Sequence, residues 1–225
     1  MSLILNIETS TKNCSVSISR NFDIIQSKSL LSEKHSHSEI LTLFIQDIFK
    51  KSNLKLSDLD AIAVSKGPGS YTGLRIGVST AKGLCYSLDI PLISVSTLQA
   101  MSLGISNNNP HYDLYCPMID ARRMEVFSAF YDSENHQIRE VRADIIDENS
   151  YVSFLNKKIL FFGDGSEKCK EVLTRENSHF LDNIFPNAND MVEISYQKYL
   201  QDDFEDVASF EPYYLKDFVV GEKKN

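Results

Sequence analysis

A Gly-x-Gly-Ser sequence occurs twice in this chain, at residues 67–70 and 163–166, and it restricts the possible folds more than any other feature. Each copy follows a short apolar run and precedes a stretch of helical character, so it predicts a turn between a strand and a helix. Each half of the chain also opens with an apolar strand that closes on an acidic residue, Glu8 or Asp120. Because both signals recur in the same order, the sequence predicts an internal duplication.

Hydrophobic periodicity gives a similar order of elements in the two halves. The first half predicts strands at 3–8, 14–19, 22–31, 60–65 and 90–95 and helices at 37–51 and 71–88. Ser36 and Glu39 form a capping box for the first of these helices. The second half predicts strands at 115–120, 124–132, 137–146 and 158–162, a short helix before the last strand and a helix after Gly165.

A duplicated β-β-β-α-β-α unit is the two-lobed α/β architecture of the actin-like (ribonuclease H-like) superfamily, in which loops of both lobes face one cleft. The loop around residues 96–110, with three consecutive asparagines before Pro110, predicts the lobe boundary. We therefore expect an N-terminal lobe of residues 1–100 and a smaller C-terminal lobe of residues 101–225, whose last residues could return to the first lobe.

Charge and composition exclude some classes of function. The net charge of −8 repels a phosphate backbone at long range, so we expect contact with RNA only through a partner. No run approaches the roughly 20 apolar residues that a membrane-spanning helix needs. The four cysteines are far apart in sequence, which favours reduced thiols in a cytoplasmic protein.

The helix predicted at 71–88 contains Gly73, Gly77 and Gly83 in its interior. Each costs about 1 kcal/mol relative to alanine, which indicates that another element approaches the backbone closely. That element could be a neighbouring helix of the same lobe. However, Leu43 and Phe49 lie outside the core face of the helix at 37–51, which favours a helix-to-helix interface with another chain. The predicted interface residues are Ile40, Leu43, Thr72, Gly73, Ile76, Gly77, Thr80 and Leu84.

Four segments spread over the whole chain carry a resemblance to a known family. They are the strand and turn at 4–11, the long glycine-rich stretch at 66–84, Ile-Asp-Ala-Arg-Arg-Met-Glu-Val-Phe at 119–127, and Glu-Pro-Tyr-Tyr-Leu-Lys at 211–216. Together they are similar to the bacterial TsaB (YeaZ) family, and the stretch at 66–84 is its most specific motif.

The resemblance implies an actin-like fold and a role in making threonylcarbamoyladenosine at position 37 of tRNAs that read ANN codons. It implies a non-catalytic subunit, without catalytic residues of its own, that supports the catalytic paralogue TsaD and docks through the helices of its first lobe. The ATPase TsaE is the further partner that it implies, and contact with tRNA would be indirect.

Metal and nucleotide sites have weak support in the sequence. The catalytic paralogues hold a metal with an H-x-x-x-H pair, whereas His35 and His37 here are two residues apart and cannot share one helical face, so we expect no metal. Acidic residues such as Glu8 and Asp120 position Mg²⁺ in the kinases and ATPases of the superfamily, yet the turns beside them lack glycine. We expect a vestigial nucleotide cleft, formed by Glu8, Asp120, Gly163, Asp164 and Gly165, and nucleotide only within the complex.

Two other functions stay open. An independent M22-like metallopeptidase or actin-like ATPase would need catalytic groups in the cleft. A homodimer would use the same glycine stripe when the partner is absent.

Overall fold

The computed structural model describes residues 2–32 and 37–216, and it contains two five-stranded mixed sheets. The first sheet has the order β3-β2-β1-β4-β5, in which β1 and β2 form an antiparallel hairpin and β4 joins β1 in parallel. Every residue of β1 is buried, because helices cover both faces of the sheet. The strands are β1 Leu3–Glu8, β2 Asn13–Arg20, β3 Asp23–Leu31, β4 Ala61–Gly67 and β5 Leu92–Ser96.

Two long helices, α1 His37–Ser52 and α2 Tyr71–Leu88, cover one face of the first sheet and pack against each other. Leu41, Ile45 and Ile48 of α1 recur at helical spacing and enter the core with Val78 and Ala81 of α2. The hydroxyl of Ser70 accepts a hydrogen bond from Gly73 N at 3.2 Å and caps α2, so the glycine-rich turn fixes where this helix begins.

The second sheet repeats the topology of the first, which confirms the predicted actin-like duplication. Its order β10-β9-β6-β7-β8 corresponds strand by strand to β5-β4-β1-β2-β3. As in the first sheet, the first two strands form an antiparallel hairpin and the fourth joins the first in parallel. The strands are β6 Leu114–Asp120, β7 Glu125–Tyr131, β8 Gln137–Ile145, β9 Ile159–Phe162 and β10 Ser178–Leu181.

Within residues 101–216, the second copy lacks the long helices of the first, and the helix predicted after Gly165 is wrong. A 3-10 turn, Glu167–Cys169, takes its place, and a second one, Val152–Phe154, replaces the predicted short helix. Lys168 reaches back to the Asp120 carboxylate and donates to the Glu125 carbonyl at 2.7 Å. This lysine holds the turn against β6 and β7, and the chain enters β10 only nine residues after Cys169, at Ser178.

Two helices that periodicity did not predict are present, and one of them contacts both sheets. Helix α3, Thr97–Ser106, occupies the sequence expected to be a loop, and its Leu98 and Met101 pack on the second sheet while Ala100 faces the first. Helix α4, Val192–Leu200, lies near the C-terminus but packs on the first sheet.

Polar side chains fasten this returning segment to the β1–β2 hairpin. Asn13 Nδ2 donates to the Pro186 carbonyl at 2.8 Å, and Ser195 Oγ donates to Asn6 Oδ1 at 2.7 Å. Both are hydrogen bonds between buried groups, so the register of the return is well determined.

The predicted capping residue Ser36, together with His35, lies outside the described residues. Among the described residues, no helix has the length and apolar character needed to cross a membrane.

Candidate interlobe cleft and docking helices

An open cleft of about 1000 Å³ separates the two lobes at the ends of β1 and β6. The turn after β1, the start of α2, the turn after β6 and the C-terminal segment contribute its walls. Representative lining residues are Lys12, Tyr71, Asp120, Arg122, Asp164 and Tyr213.

Glu8 lies beneath the wall of the cleft and does not line it. Its side chain is 1% exposed, and Oε1 accepts hydrogen bonds from Ser10 N at 2.6 Å and Ser65 Oγ at 2.9 Å. Burial raises the pKa of the Glu8 carboxyl, and the bonds from Ser10 and Ser65 oppose the increase. The prediction that Glu8 faces the cleft is therefore wrong, because this carboxylate serves to hold the turn at residues 9–13.

Asp120 and Asp164 do line the cleft, and they lie side by side. Asp120 N donates to Asp164 Oδ1 at 3.1 Å, while the Asp120 carboxylate pairs with Lys168. Burial raises the pKa of Asp164 above its usual value. Lys168 thus neutralises the Asp120 carboxylate, which the sequence suggested as a cation ligand.

The glycines of the two Gly-x-Gly-Ser turns make room for the chain itself. A Cβ on Gly165 would lie 2.8 Å from the Ile119 carbonyl carbon, and one on Gly69 would lie 2.7 Å from Ser10 Cβ. Gly163 has a φ of +107°, a conformation that favours glycine. Ser70 N donates to the Ser10 carbonyl at 2.6 Å and Gly165 N to the Met118 carbonyl at 3.0 Å. These amide groups are engaged inside the protein and are not directed at a bound phosphate.

Sequence reasoning did not single out the basic turn at Arg122 and Arg123 as part of the cleft. Both residues are exposed and have left-handed backbones, with φ of 69° and 46°. Such a conformation costs on the order of 1 kcal/mol for a residue with a side chain. Across the described residues, neither guanidinium has an ion-pair partner, whereas the neighbouring carboxylates of Asp120 and Glu125 are paired with lysines. The available signal was a pair of adjacent arginines two residues after the strand-closing Asp120, in an acidic protein.

The element that approaches the α2 glycines belongs to the same lobe. A Cβ on Gly73 would collide with the Thr9 carbonyl and one on Gly77 with the Thr9 hydroxyl. Thr9 Oγ1 also donates to the Gly73 carbonyl at 2.8 Å. Gly73 and Gly77 are thus buried against the turn after β1, and the interpretation that favoured another chain at these two glycines is wrong. Gly83 has nothing within 4 Å of an added Cβ.

The other predicted interface residues lie on the outer side of the α1–α2 pair. Leu43 is 58% exposed, and Thr72 is exposed. The rest are partly buried at the edge of the first-lobe core: Ile40, Ile76, Thr80 and Leu84.

The side of α2 that carries Arg75 and Lys82 is covered by the C-terminal segment. Lys82 Nζ donates to the carbonyls of Ala208 at 3.1 Å and Phe210 at 2.9 Å. Arg75 lies over the Tyr71 ring at 4.1 Å and donates to Tyr214 Oη at 3.2 Å. This segment leaves the Thr72–Ile76–Leu84 side of α2 uncovered.

His37 contacts the turn after β1, where its Nε2 is 2.6 Å from the Thr11 carbonyl oxygen. Because a carbonyl can only accept, this contact places a proton on Nε2. Over residues 2–32 and 37–216, no group of three or more His, Cys, Asp or Glu side chains is arranged to hold a metal ion.

Comparison with known proteins gives relatives over nearly the whole chain. The TsaB protein of Escherichia coli, described as a tRNA threonylcarbamoyladenosine biosynthesis protein, is 31% identical over 98% of this chain and 97% of its own length. The TsaB protein of Bacillus subtilis is 32% identical over 76% of this chain and 74% of its own. The crystal structure of YeaZ from Pseudomonas aeruginosa matches with a TM-score of 0.83 at 23% identity, covering 96% of this chain and all of that one.

A broader relationship connects the chain with the transferases. The family model described as TsaD, tRNA N6-adenosine threonylcarbamoyltransferase, matches residues 25–224. The transferase of Streptococcus uberis is 28% identical over 64% of this chain but only 48% of its own length. The match with the transferase is partial, whereas that with the E. coli TsaB protein is end to end, and the chain therefore belongs to the TsaB (YeaZ) family.

Proposed function

We propose that this protein is the non-catalytic subunit that binds and supports a TsaD-type transferase in forming threonylcarbamoyladenosine on tRNA. The observation that carries the proposal is the outer side of the α1–α2 pair, where Leu43 is 58% exposed and Ile40 and Ile76 are partly buried. The end-to-end similarity to proteins named for this biosynthesis supports it further.

The interior of the cleft supports a subunit without catalytic groups of its own. Glu8 is sealed from the cleft, Asp120 is paired with Lys168, and the amide groups of both glycine turns bond to the chain. Catalysis of acid–base or phosphoryl-transfer type needs such groups free to contact a substrate. A cofactor of the complex, nucleotide included, would then be bound with the partner's residues.

The proposal extends to the finer roles that the family resemblance implies. The product is the modified adenosine at position 37 of tRNAs that read ANN codons, TsaE is the ATPase of the complex, and tRNA contact is indirect. The net charge of −8 agrees with the indirect contact. In the absence of the transferase, the same α1–α2 surface would form a homodimer.

Reconstituted modification tests the function. The transferase, the ATPase, the enzyme that makes the threonylcarbamoyl donor and unmodified tRNA are mixed with and without this chain, and modified adenosine is measured by mass spectrometry. We expect modification only with the chain present. Undiminished modification without it contradicts the function, and ATP or peptide turnover by the purified chain alone contradicts its non-catalytic role.

A charged substitution on the docking surface tests the mode of binding. Leu43→Glu places a carboxylate where a partner would exclude water, so we expect affinity for the transferase to fall at least tenfold in calorimetry. Ile145→Glu is the matched control, because Ile145 is 77% exposed on β8 in the other lobe. Equal affinity of both variants and the unsubstituted chain would place the interface elsewhere.

A further inference from the structure

Residues 207–216 form a continuous segment, here named the strap, that begins on the first lobe and ends on the second. Its first part lies along α2, where Lys82 binds the carbonyls of Ala208 and Phe210, and the side chains of Val207 and Phe210 join the first-lobe core. The strap is therefore anchored to the first lobe by both backbone and apolar contacts.

The middle of the strap is fixed at the end of β4 and the start of α2. Tyr213 N donates to the Lys66 carbonyl at 2.7 Å, and a Cβ on Gly67 would lie 2.9 Å from the Tyr213 carbonyl oxygen. Gly67 also has a φ of +112°. Glycine is therefore required there both by the backbone conformation and by the close approach of Tyr213. The Tyr214 ring packs on Tyr71 with a centroid separation of 4.7 Å.

The end of the strap crosses to the second lobe with far fewer contacts. Leu215 packs at the edge of the core around Ile119 and Phe127, and Lys216 forms an ion pair with Glu125, the first residue of β7. The lysine side chain is 43% exposed and that of Glu125 is 20% exposed. Partly exposed ion pairs are weak and are screened by salt, so this end of the strap releases more easily than the other.

Residues Tyr213, Tyr214, Leu215 and Lys216 all line the interlobe cleft. From these contacts we propose that the strap is a latch, which holds the two lobes at one separation in the free chain and opens at the Lys216–Glu125 pair. An anion that enters the cleft beside Lys216 competes with Glu125 and favours the open state. The proposal concerns the free chain and does not depend on the proposed function.

Charge reversal tests the latch. Ser79→Cys on α2 and Ile145→Cys at the end of β8 carry a dye pair for single-molecule energy transfer, since both sites are exposed and all four native cysteines are buried. In 50 mM salt, we expect Lys216→Glu and Glu125→Lys each to increase the open population roughly fivefold, which corresponds to about 1 kcal/mol.

The double variant Glu125→Lys with Lys216→Glu restores the pair with its charges exchanged, so we expect the closed population to return. Lys170→Glu, which disrupts a surface pair in the second lobe, is the control and should leave the distances unchanged. In 0.5 M salt, the unsubstituted chain should move towards the open distribution. An unchanged distribution in Lys216→Glu, or a double variant as open as the single ones, overturns the latch.

Discussion

Buried carboxyl groups are the most informative single residues of this protein. Glu8 holds the turn after β1, and Asp190 lies where a Cβ on Gly104 of α3 would collide with its carboxylate. Burial raises the pKa of Asp190 to about 7, and the proximity of Glu8 contributes to the increase. The sequence alone did not distinguish Asp190 from the other aspartates, because nothing local to residues 187–191 indicates that this segment returns to the first lobe.

Asp190 makes the stability of the protein depend on pH. Its pKa is higher in the folded state than in the unfolded state, so the folded state loses stability as pH rises from about 4 to about 7. Replacing Asp190 with Asn removes this loss. We expect Asp190→Asn to stabilise the protein by on the order of 4 kcal/mol at pH 8 relative to its effect at pH 4, measured by urea unfolding.

The matched control is Glu193→Gln, because Glu193 is exposed on α4 only three residues away. Its effect on stability should be small, because the side chain is exposed. If Asp190→Asn has equal effects at pH 4 and pH 8, the buried carboxyl does not titrate as described.

Among the elements, α2 shows best what the sequence could and could not predict. Its bounds, Tyr71–Leu88, are those predicted, because the glycine-rich turn before it and its apolar stripe of period 3.6 are local signals. The glycines Gly73 and Gly77 were assigned to a partner, yet Thr9 occupies that space, and a contact between residues 64 positions apart leaves no mark in a local pattern. The unpredicted helices likewise depend on distant contacts, α3 with both sheets and α4 with the first sheet.

Alanine substitutions within α2 distinguish the exposed glycine, Gly83, from a buried one, Gly77. Gly83→Ala adds a methyl group in open space on an exposed helix surface, so we expect the free energy of unfolding to increase by about 1 kcal/mol. Gly77→Ala directs its methyl group at the buried Thr9 hydroxyl, so we expect a loss of at least 1 kcal/mol. Both are measured by thermal and urea unfolding.

Equal stabilisation by the two substitutions would mean that the turn after β1 does not pack against α2 in solution. The additional variant Thr9→Ser with Gly77→Ala retains the hydroxyl and should not rescue the loss.

At the scale of the whole molecule, the boundary between the lobes does not correspond to a single position in the sequence. The return of α4 covers Ile4, Ala63 and Ile93 on the first sheet with Met191, Ile194 and Tyr199. The duplication and the interlobe cleft followed from repeated local signals. A return of the last residues to the first lobe was only an open expectation, and its position does not follow from local signals, because it depends on buried hydrogen bonds such as that between Asn6 and Ser195.

A fragment of residues 1–110 should therefore not fold alone. Without residues 187–216, the apolar face around Ile4, Ala63 and Ile93 is exposed to water, so we expect an aggregated or dynamic product in NMR spectra. Adding a peptide of residues 187–216 should restore dispersed resonances. A fragment that is well folded without the peptide would show that the return is dispensable.

The hydroxyl of Thr9 has one more consequence. The hydroxyl donates a hydrogen bond to the Gly73 carbonyl of α2, and the hydroxyl and methyl group of Thr9 fill the space beside Gly77. The β1–β2 hairpin and α2 are therefore mechanically coupled. A displacement of α2 is therefore expected to move the rim of the cleft at Ser10 and Thr11. Binding of a partner to α2 would then change the wall of the cleft that faces the second lobe.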